Sequence, residues 1–132
     1  MGEYQRLCQS TDWPEFRKLD KTAFSQALNN SLFCVSAYKG RRLVGFGRVV
    51  SDGILYAAIY DVMVLPDYKN QRIGTEIVRR LLNKCGQANM GVVQLFAASG
   101  TEGFYKKLGF DRRPHDAPGM FYIGEKIGKQ DL

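Results

Sequence analysis

Apolar, β-branched and aromatic residues are concentrated in three stretches of the first half of the chain, a composition typical of β-strands. LFCVSAY (32–38) and LVGFGRVVS (43–51) flank the turn-forming segment KGRR, which predicts a hairpin. ILYAAIYDVMVL (54–65) predicts a third strand, and GVVQLFAAS (91–99) predicts a buried strand further along. A short strand is also expected at 4–9, before the hairpin.

Between these strands, apolar residues recur at the 3.6-residue spacing of amphipathic helices. One helical stretch is expected from Asp12, a residue type that favours the N-cap, to about Leu28. A second begins close to Gly74 and is expected to stop at Gly86. The segment TEGFYKKL (101–108) predicts a short third helix.

The predicted order of elements is βααβββαβαββ, in which the helical stretch 12–28 supplies both helices before the hairpin and the last two strands lie at 110–113 and 119–127. Three consecutive strands followed by a strand–helix–strand crossover indicate a mixed α/β fold. We expect a central, mostly antiparallel sheet flanked by helices. No repeat, linker or low-complexity tract interrupts the pattern, so residues 1–132 are interpreted as a single domain.

Composition narrows the class of protein. The 132 residues are 45% hydrophobic and 24% charged, as in soluble globular proteins. No apolar run approaches the roughly 20 residues of a membrane span, and a signal peptide is not recognisable, so a cytoplasmic location is expected. Cys8, Cys34 and Cys85 form no C-x-x-C pair, so reduced thiols are expected and neither a disulfide framework nor a metal site is supported.

The net charge of +6 suggests a polyanionic partner, either nucleic acid or a phosphate-bearing small molecule. The segment KNQRIGT (69–75) lies between the third strand and the following helix. A helix N-terminus presents unpaired backbone N–H groups and a partial positive charge, to which Lys69 and Arg72 add formal charge. Because Gly74 has no side chain, an anion can approach the backbone. The segment is interpreted either as a phosphate cradle or as an ordinary helix start.

The stretch VMVLPDYKNQRIGTEIV (62–78) resembles the acetyl-CoA motif of the GNAT superfamily of N-acetyltransferases. That motif is Gln/Arg-x-x-Gly-x-Gly/Ala, preceded by a strand ending in Val-x-Val-x-Pro. The matching residues are Val62, Val64, Pro66 and Gly74. Lys69 stands where Gln or Arg is usual and keeps the charge, whereas Arg72 replaces the first glycine.

A second segment, GFYKKLGF (103–110), resembles the family's helix that carries Phe-Tyr and ends in Leu-Gly-Phe. The usual asparagine on the preceding loop is Ala98 here. Both motifs occur in the expected order, and the resemblance covers nearly the whole chain.

The resemblance implies transfer of an acetyl group from acetyl-CoA to a primary amine, by direct attack in a ternary complex. The expected partners are therefore acetyl-CoA and an amine, with no nucleic acid and no membrane. The pantetheine arm would pair with the exposed strand backbone, and the phosphates would lie at the helix start. The residues implied in acetyl-CoA binding are Val62, Met63, Val64, Lys69, Asn70, Gln71, Arg72, Ile73, Gly74 and Thr75. The acceptor stays open; GTEGFY and APGM loosely resemble arylalkylamine acetyltransferases, and homodimers are common in the family.

Two residues are candidates for catalysis. The resemblance implies that Tyr105 protonates the departing CoA thiolate, although it could also belong to a packing face with Phe104 and Leu108. Asp61 is a lone carboxylate in an apolar strand, so it either faces the cleft or anchors structure. In the cleft it would act as the base or attract the ammonium form of the acceptor. His115 either contacts the acceptor or is simply an exposed loop residue.

A small basic RNA-binding module is the alternative function. VGFGRVV (44–50) partly matches the RNA-recognition signature K/R-G-F/Y-G/A-F-V-x-F/Y. The match fails at the basic position, where Val44 stands, and at a base-stacking position, where Arg48 stands. Gly45 and Gly47 are instead interpreted as strand glycines that permit a bend or close packing.

Overall fold

A computed structural model describes residues 2–11, 13–16 and 19–124 of the chain. The helices are α1 (Gly2–Ser10), α2 (Lys21–Asn29), α3 (Ile73–Gln87) and α4 (Glu102–Lys106). The strands are β1 (Phe33–Lys39), β2 (Arg42–Ser51), β3 (Tyr56–Val64) and β4 (Val92–Leu95). Short 3₁₀ turns occur at Pro14–Phe16 and Pro66–Tyr68.

The four strands form one sheet in the order β1-β2-β3-β4. The first two pairings are antiparallel, whereas β3 and β4 run parallel and are connected through α3. The expected fold class, a mostly antiparallel sheet flanked by helices, is confirmed. That residues 1–132 form a single domain stays a prediction.

The first element is a helix, so the strand expected at residues 4–9 was wrong. Tyr4, Leu7 and Cys8 are the buried residues of α1. Their spacing places them on one side of a helix, where they pack against the sheet. A stretch of this length has too few apolar positions to distinguish the period of a helix from the period of a strand before the packing is known.

The second helix begins later than expected. The side chain of Asp20 accepts a hydrogen bond from the backbone N–H of Ala23 at 2.8 Å and caps α2. The preceding segment forms the 3₁₀ turn at Pro14–Phe16, in which Phe16 stacks on Trp13 with ring centroids 5.6 Å apart. Asp12, the expected cap, lies outside the described residues.

Helix α3 continues past Gly86, the expected stop. Asn89 adopts a left-handed conformation with φ 58° after the last turn. Its N–H donates to the carbonyl of Gly86, and the N–H of Met90 donates to the carbonyl of Cys85, both at 3.1 Å. These two bonds are those of a Schellman motif, with asparagine in the place that glycine usually takes.

The two strands expected at the end of the chain are not found among the described residues. Segments 110–113 and 119–124 have no strand pairing, and 125–127 lie outside the described part. Arg112 instead donates two hydrogen bonds of 2.7 Å to the carboxylate of Glu102 in α4. These bonds attach the segment after α4 to the helix rather than to the sheet.

The core lies on both faces of the sheet. Helices α1 and α2 cover one face, where the buried residues are Tyr4, Leu7, Cys8, Phe24, Leu43, Val44, Phe46, Met63 and Leu65. Helix α3 covers the other, where they are Val49, Ala57, Ile59, Ile77, Leu81 and Cys85. Cys34, on the outer strand β1, is exposed.

The strand glycines of β2 permit close packing against α3. A Cβ on Gly45 would lie 2.8 Å from Cδ1 of Ile77, and one on Gly47 would lie 2.9 Å from Cγ2 of the same residue. Both distances are shorter than carbon atoms tolerate, so the interpretation of these residues as packing glycines is confirmed.

Candidate active site

A β-bulge interrupts β3 at the point where it leaves β4. Strand β3 pairs with β4 only over Tyr56–Ile59. Beyond that pairing, the register between β2 and β3 shifts between Phe46 and Arg48, which makes Asp61 the additional residue of a bulge. Asp61 has a φ of 58°, in the left-handed region. The bulge therefore separates the part of β3 that pairs with β4 from the part that follows.

The backbone of β3 after the bulge has one unpaired edge in the described part of the chain. The N–H of Leu65 donates to the carbonyl of Val44 at 2.8 Å, and Met63 pairs with Phe46 in the same register. Because hydrogen-bonding groups alternate along a strand, the N–H and C=O groups of Val62 and Val64 face away from β2. An amide-rich ligand could pair with this edge as an additional strand.

The start of α3 presents free backbone donors beside this edge. The first intrahelical bond runs from the N–H of Glu76 to the carbonyl of Arg72, at 3.1 Å. The N–H groups of Ile73, Gly74 and Thr75 therefore have no acceptor within the helix. Lys69, Asn70, Gln71 and Arg72 are exposed in the turn before it. The combination of free N–H groups and cationic side chains can hold a phosphate.

Arg72 occupies a strained position in this turn. It is the N-cap of α3 with a φ of 64°, and its side chain makes no capping bond. The left-handed conformation costs an L-residue about 1–2 kcal/mol, whereas glycine adopts it readily. The geometry explains why a glycine suits the position to which the GNAT motif assigns one.

Replacing Arg72 with glycine should therefore raise the free energy of unfolding by about 1 kcal/mol. We expect a higher Tm, measured by calorimetry. Arg79→Gly, in the middle of α3, is the matched control and should lower stability by about 1 kcal/mol, because glycine there only weakens the helix. A lower Tm in Arg72→Gly would show that the arginine side chain stabilises the turn.

Gly74 lies against α4 rather than against open solvent. A Cβ at this position would be 3.5 Å from Cζ of Phe104 and 3.7 Å from Cγ2 of Val64. The ring of Phe104 therefore packs over the start of α3, at distances that a Cβ would still tolerate. This contact brings α4, and with it Tyr105, to the open edge of β3.

Tyr105 belongs to an aromatic group on α4. Its ring makes edge contacts with Phe104 and Phe110, at centroid distances of 4.9 and 5.8 Å. Burial raises the pKa of the Tyr105 hydroxyl above its ordinary value, so that it keeps its proton at neutral pH. No hydrogen-bond partner of this hydroxyl is found among residues 2–11, 13–16 and 19–124. Tyr105 therefore combines a packing contact with a protonated hydroxyl that can donate.

Asp61 is held by two side chains. Arg48 Nε donates to its carboxylate at 2.6 Å, and the hydroxyl of Tyr4 donates at 3.3 Å. The side chains of Arg48 and Asp61 are 17% and 12% exposed, so water weakens this ion pair little. Arg48 also donates to the carbonyl of Ala27 and to Oγ of Ser31, both at 3.1 Å.

Arg48 was not identified from the sequence as the partner of Asp61. The signal that could have revealed it is one arginine in the apolar strand β2 and one aspartate in the apolar strand β3. Two opposite charges in neighbouring buried strands are each costly alone and are therefore expected to pair.

Exposed aromatic residues lie next to the end of β4. Ile59 and Leu95 form the last pair of β3 and β4 and point towards α3, so Tyr60, the next residue of β3, points to the opposite face. Phe96 directly follows the end of β4. The exposed fractions of Tyr60 and Phe96 are 40% and 63%. A Cβ on Gly119 would lie 3.1 Å from the ring of Phe96, so the segment after α4 returns to this place. His115 is exposed within that segment.

The segment VGFGRVV does not offer a surface for stacking bases. Phe46 is 3% exposed in the core, and Arg48 is bound to Asp61. Gly45 and Gly47 are covered by α3. The residues that suggested an RNA-recognition motif therefore belong to the core and to the ion pair of the bulge.

Neither a metal cluster nor a membrane helix is found in the described part of the chain. Residues 2–11, 13–16 and 19–124 contain no group of three or more His, Cys, Asp or Glu side chains that could hold a metal ion. Among the same residues, no helix is long and apolar enough to span a bilayer.

The chain is similar to acetyltransferases in both sequence and structure. The model of the acetyltransferase (GNAT) family matches residues 2–110. An uncharacterized N-acetyltransferase, ycf52 of Pyropia yezoensis, is 36% identical over 124 residues, which cover 91% of this chain and 70% of that protein. Histone acetyltransferase TAP1 of Glycine max is 35% identical over 131 residues, which cover 91% of this chain and 55% of that protein. The chain thus spans between half and three quarters of the length of these relatives.

Solved structures agree with this similarity. A probable acetyltransferase of unknown function, SA2161 from meticillin-resistant Staphylococcus aureus, superposes with a TM-score of 0.80 at 29% identity, covering 92% of this chain and 91% of that one. The GNAT family protein SP0256 from Streptococcus pneumoniae gives 0.79 at 29% identity, covering 95% and 91%.

The chain belongs to the GNAT family of acetyltransferases, as the resemblance implied. Acetyl transfer from acetyl-CoA is the general activity of this family, so this broad part of the functional prediction is confirmed. One relative, GCN5-related N-acetyltransferase 2 of Arabidopsis thaliana, is named as chloroplastic and is 31% identical over 140 residues, covering 91% of this chain and 53% of that protein. The relatives therefore lend no support to the expected cytoplasmic location, which stays a prediction.

Proposed function

We propose that the chain transfers the acetyl group of acetyl-CoA to a small primary amine that carries an aromatic ring. The observation that carries the acetyl-CoA part is the unpaired edge of Val62 and Val64, which lies beside the start of α3, where Phe104 of α4 contacts Gly74. The edge can bind an amide-rich arm, the start of α3 can bind a pyrophosphate, and α4 supplies a protonated hydroxyl.

The proposed reaction uses these groups in one direct step. The amide groups of the pantetheine arm pair with the edge of β3 and align the thioester. A backbone N–H of Val62 or Val64 donates to the thioester oxygen and stabilises the negative charge that develops there. The amine nitrogen forms the new C–N bond and loses a proton to water as the C–S bond breaks. Tyr105 donates its proton to the departing thiolate and is reprotonated from solvent.

We further propose that Asp61 is structural rather than a base. Its carboxylate already accepts hydrogen bonds from Arg48 and Tyr4, and both donors come from the side of the sheet that α1 and α2 cover. Its Oδ2 atom is thereby occupied by two fixed donors of the protein rather than by an amine or a water. The proton of the acceptor ammonium would then leave to water.

Asp61→Asn separates the three roles considered for this residue. A structural role predicts a lower Tm, and a kcat/KM that falls by the same factor at every pH. A base would give a loss at neutral pH that partly recovers at high pH, where free amine is abundant. An ammonium anchor would raise only the acceptor KM. The measurement is a pH–rate profile together with a melting curve of the same sample.

The aromatic part of the proposal depends on Tyr60 and Phe96. Both are exposed at the end of β4, next to the bulge and close to the segment around Gly119. A ring that stacks on such a residue gains about 0.5–1.5 kcal/mol beyond the burial of its surface. A protein lysine or an aliphatic polyamine has no ring to gain from this contact.

Thiol release from acetyl-CoA across a panel of amines tests the acceptor class. We expect a higher kcat/KM for arylalkylamines than for alkyl diamines or lysine peptides. Phe96→Ala should raise the KM for arylalkylamines about 3- to 10-fold, the range that a stacking contact predicts, and leave alkylamines unchanged. Tyr38→Ala, which removes an exposed aromatic residue from β1 at the other edge of the sheet, is the matched control. Equal losses for both amine classes would contradict the aromatic acceptor.

The expected homodimer stays a prediction drawn from the family resemblance. Sedimentation of the free protein and of the acetyl-CoA complex would measure its oligomeric state.

A further inference from the structure

We propose that Arg48 is a positioning residue for acetyl-CoA, because through Asp61 it holds the bulge that keeps the edge of β3 open. This inference rests on the acetyl-CoA-dependent function proposed above. Arg48 lies in β2, outside every segment to which ligand binding has been assigned.

The bulge decides which groups of β3 face the ligand. Side chains and hydrogen-bonding groups alternate along a strand, so one additional residue reverses the orientation of every residue that follows. With Asp61 as the additional residue, Met63 packs against α1 and α2, and Val62 packs on the side of α3. If the bulge were removed, Met63 would turn towards α3, and the N–H groups of Val62 and Val64 would turn towards β2.

The bulge requires a left-handed residue that something must stabilise. Asp61 has a φ of 58°, a conformation that aspartate tolerates better than most residues but does not prefer. Its carboxylate is bound by Arg48 at 2.6 Å and by Tyr4 at 3.3 Å. These bonds hold the side chain on the face that α1 and α2 cover, and thereby hold the backbone in the left-handed region.

Arg48 is itself fixed by the end of α2. Its Nη1 donates to the carbonyl of Ala27 and to Oγ of Ser31, both at 3.1 Å. The guanidinium therefore has a defined place relative to the helices, and Asp61 is positioned against it. Because Val62 follows Asp61 directly, a shift of the carboxylate would move the first backbone group that the acetyl-CoA arm meets.

Isothermal titration of acetyl-CoA into Arg48→Met measures this effect. Methionine keeps much of the length of the side chain and removes the charge and the donors. We expect the Kd to rise about tenfold, which corresponds to about 1.4 kcal/mol. Arg80→Met is the matched control, because it removes the same charge from an exposed ion pair with Glu76 and should change the Kd less than about twofold.

Arg48→Met in the Asp61→Gly background tests whether Arg48 affects acetyl-CoA binding through the carboxylate of Asp61. Glycine adopts the left-handed conformation without help and leaves no carboxylate to neutralise. Asp61→Gly alone should bind acetyl-CoA nearly as well as the wild type, and adding Arg48→Met should then raise the Kd by less than about twofold. A merely structural arginine would lower the Tm in both backgrounds and leave the Kd unchanged.

The outcomes separate this inference from the proposed function. An equal Kd for the wild type and folded Arg48→Met would overturn the positioning role alone, as would an equal rise in Kd in both backgrounds. Failure of the wild type to bind acetyl-CoA would overturn the proposed function and this inference with it. If Arg48→Met does not fold, Tyr4→Phe in the same two backgrounds replaces it, with a smaller expected rise of about threefold that must again disappear beside Asp61→Gly.

Discussion

Tyr105→Phe is expected to lower kcat by about 10²- to 10⁴-fold while the KM for acetyl-CoA changes little. The substitution removes only the hydroxyl, so the edge contacts of the ring with Phe104 and Phe110 are kept. Without the hydroxyl, the thiolate must leave unprotonated or take its proton from water. Steady-state kinetics with the preferred amine measure the loss, and a melting curve should show a Tm close to that of the wild type.

The pH dependence of kcat gives a second test of the same role. A general acid must carry its proton, and burial raises the pKa of Tyr105 above the ordinary value of about 10. Activity should therefore not decline through loss of this proton at any pH below about 10. A fall of kcat just above neutral pH that is absent in Tyr105→Phe would contradict a pKa of Tyr105 above the ordinary value.

Tyr38→Phe is the control for loss of a tyrosine hydroxyl, since Tyr38 is exposed on the outer strand β1. It should leave both kinetic constants unchanged. If Tyr105→Phe has the kcat of the wild type and no burst of thiol precedes the steady state, chemistry limits the rate and Tyr105 has only a packing role.

Gly74→Val is expected to raise the Kd for acetyl-CoA by tenfold or more, about 1.4 kcal/mol or above. A Cβ alone would already be 3.5 Å from Phe104 and 3.7 Å from Val64. The two further methyl groups of valine would overlap the Phe104 ring, displace α4 and narrow the space along β3. Overpacking of this kind costs about 1–3 kcal/mol, so the Tm should fall as well.

Gly74→Ala is the matched control for that experiment. Both contacts of its Cβ are ordinary van der Waals distances, and alanine favours helices by about 0.5–1 kcal/mol over glycine. We expect its Kd to stay close to that of the wild type and its Tm to be equal or higher. An unchanged Kd in Gly74→Val would contradict the assignment of the start of α3 to acetyl-CoA.

The central elements could be predicted because their patterns are long and local. Strands β1 to β3 and helix α3 each carry many apolar positions at one period, and their observed bounds differ from the expected ones by a few residues at most. The motif around Gly74 and the one around Tyr105 could be recognised for the same reason, since each depends on consecutive residues. The structure brings both segments together through the contact of Phe104 with Gly74.

The ends of the chain were predicted less well because their structure depends on distant contacts. Residues 4–9 form part of a helix because Tyr4, Leu7 and Cys8 pack on the sheet. In the segment after α4, Arg112 binds Glu102, and these hydrogen bonds lower the pKa of that carboxyl to about 2. The residues next to Arg112 and Glu102 in the sequence do not indicate that these two side chains pair.

The sequence by itself determined the family, the order of the central strands and the segment that we propose binds acetyl-CoA, because residue types and their spacing carry this information directly. Only the tertiary structure decided the conformation of Asp61 and the side chain with which it pairs. Its left-handed φ of 58° and its pairing with Arg48 depend on residues 13 positions apart in the chain. The physical reason is that an isolated aspartate can be a base, an anchor or half of an ion pair. The fold brings Arg48 to it, and this contact cannot be recognised from the residues next to Asp61 in the chain.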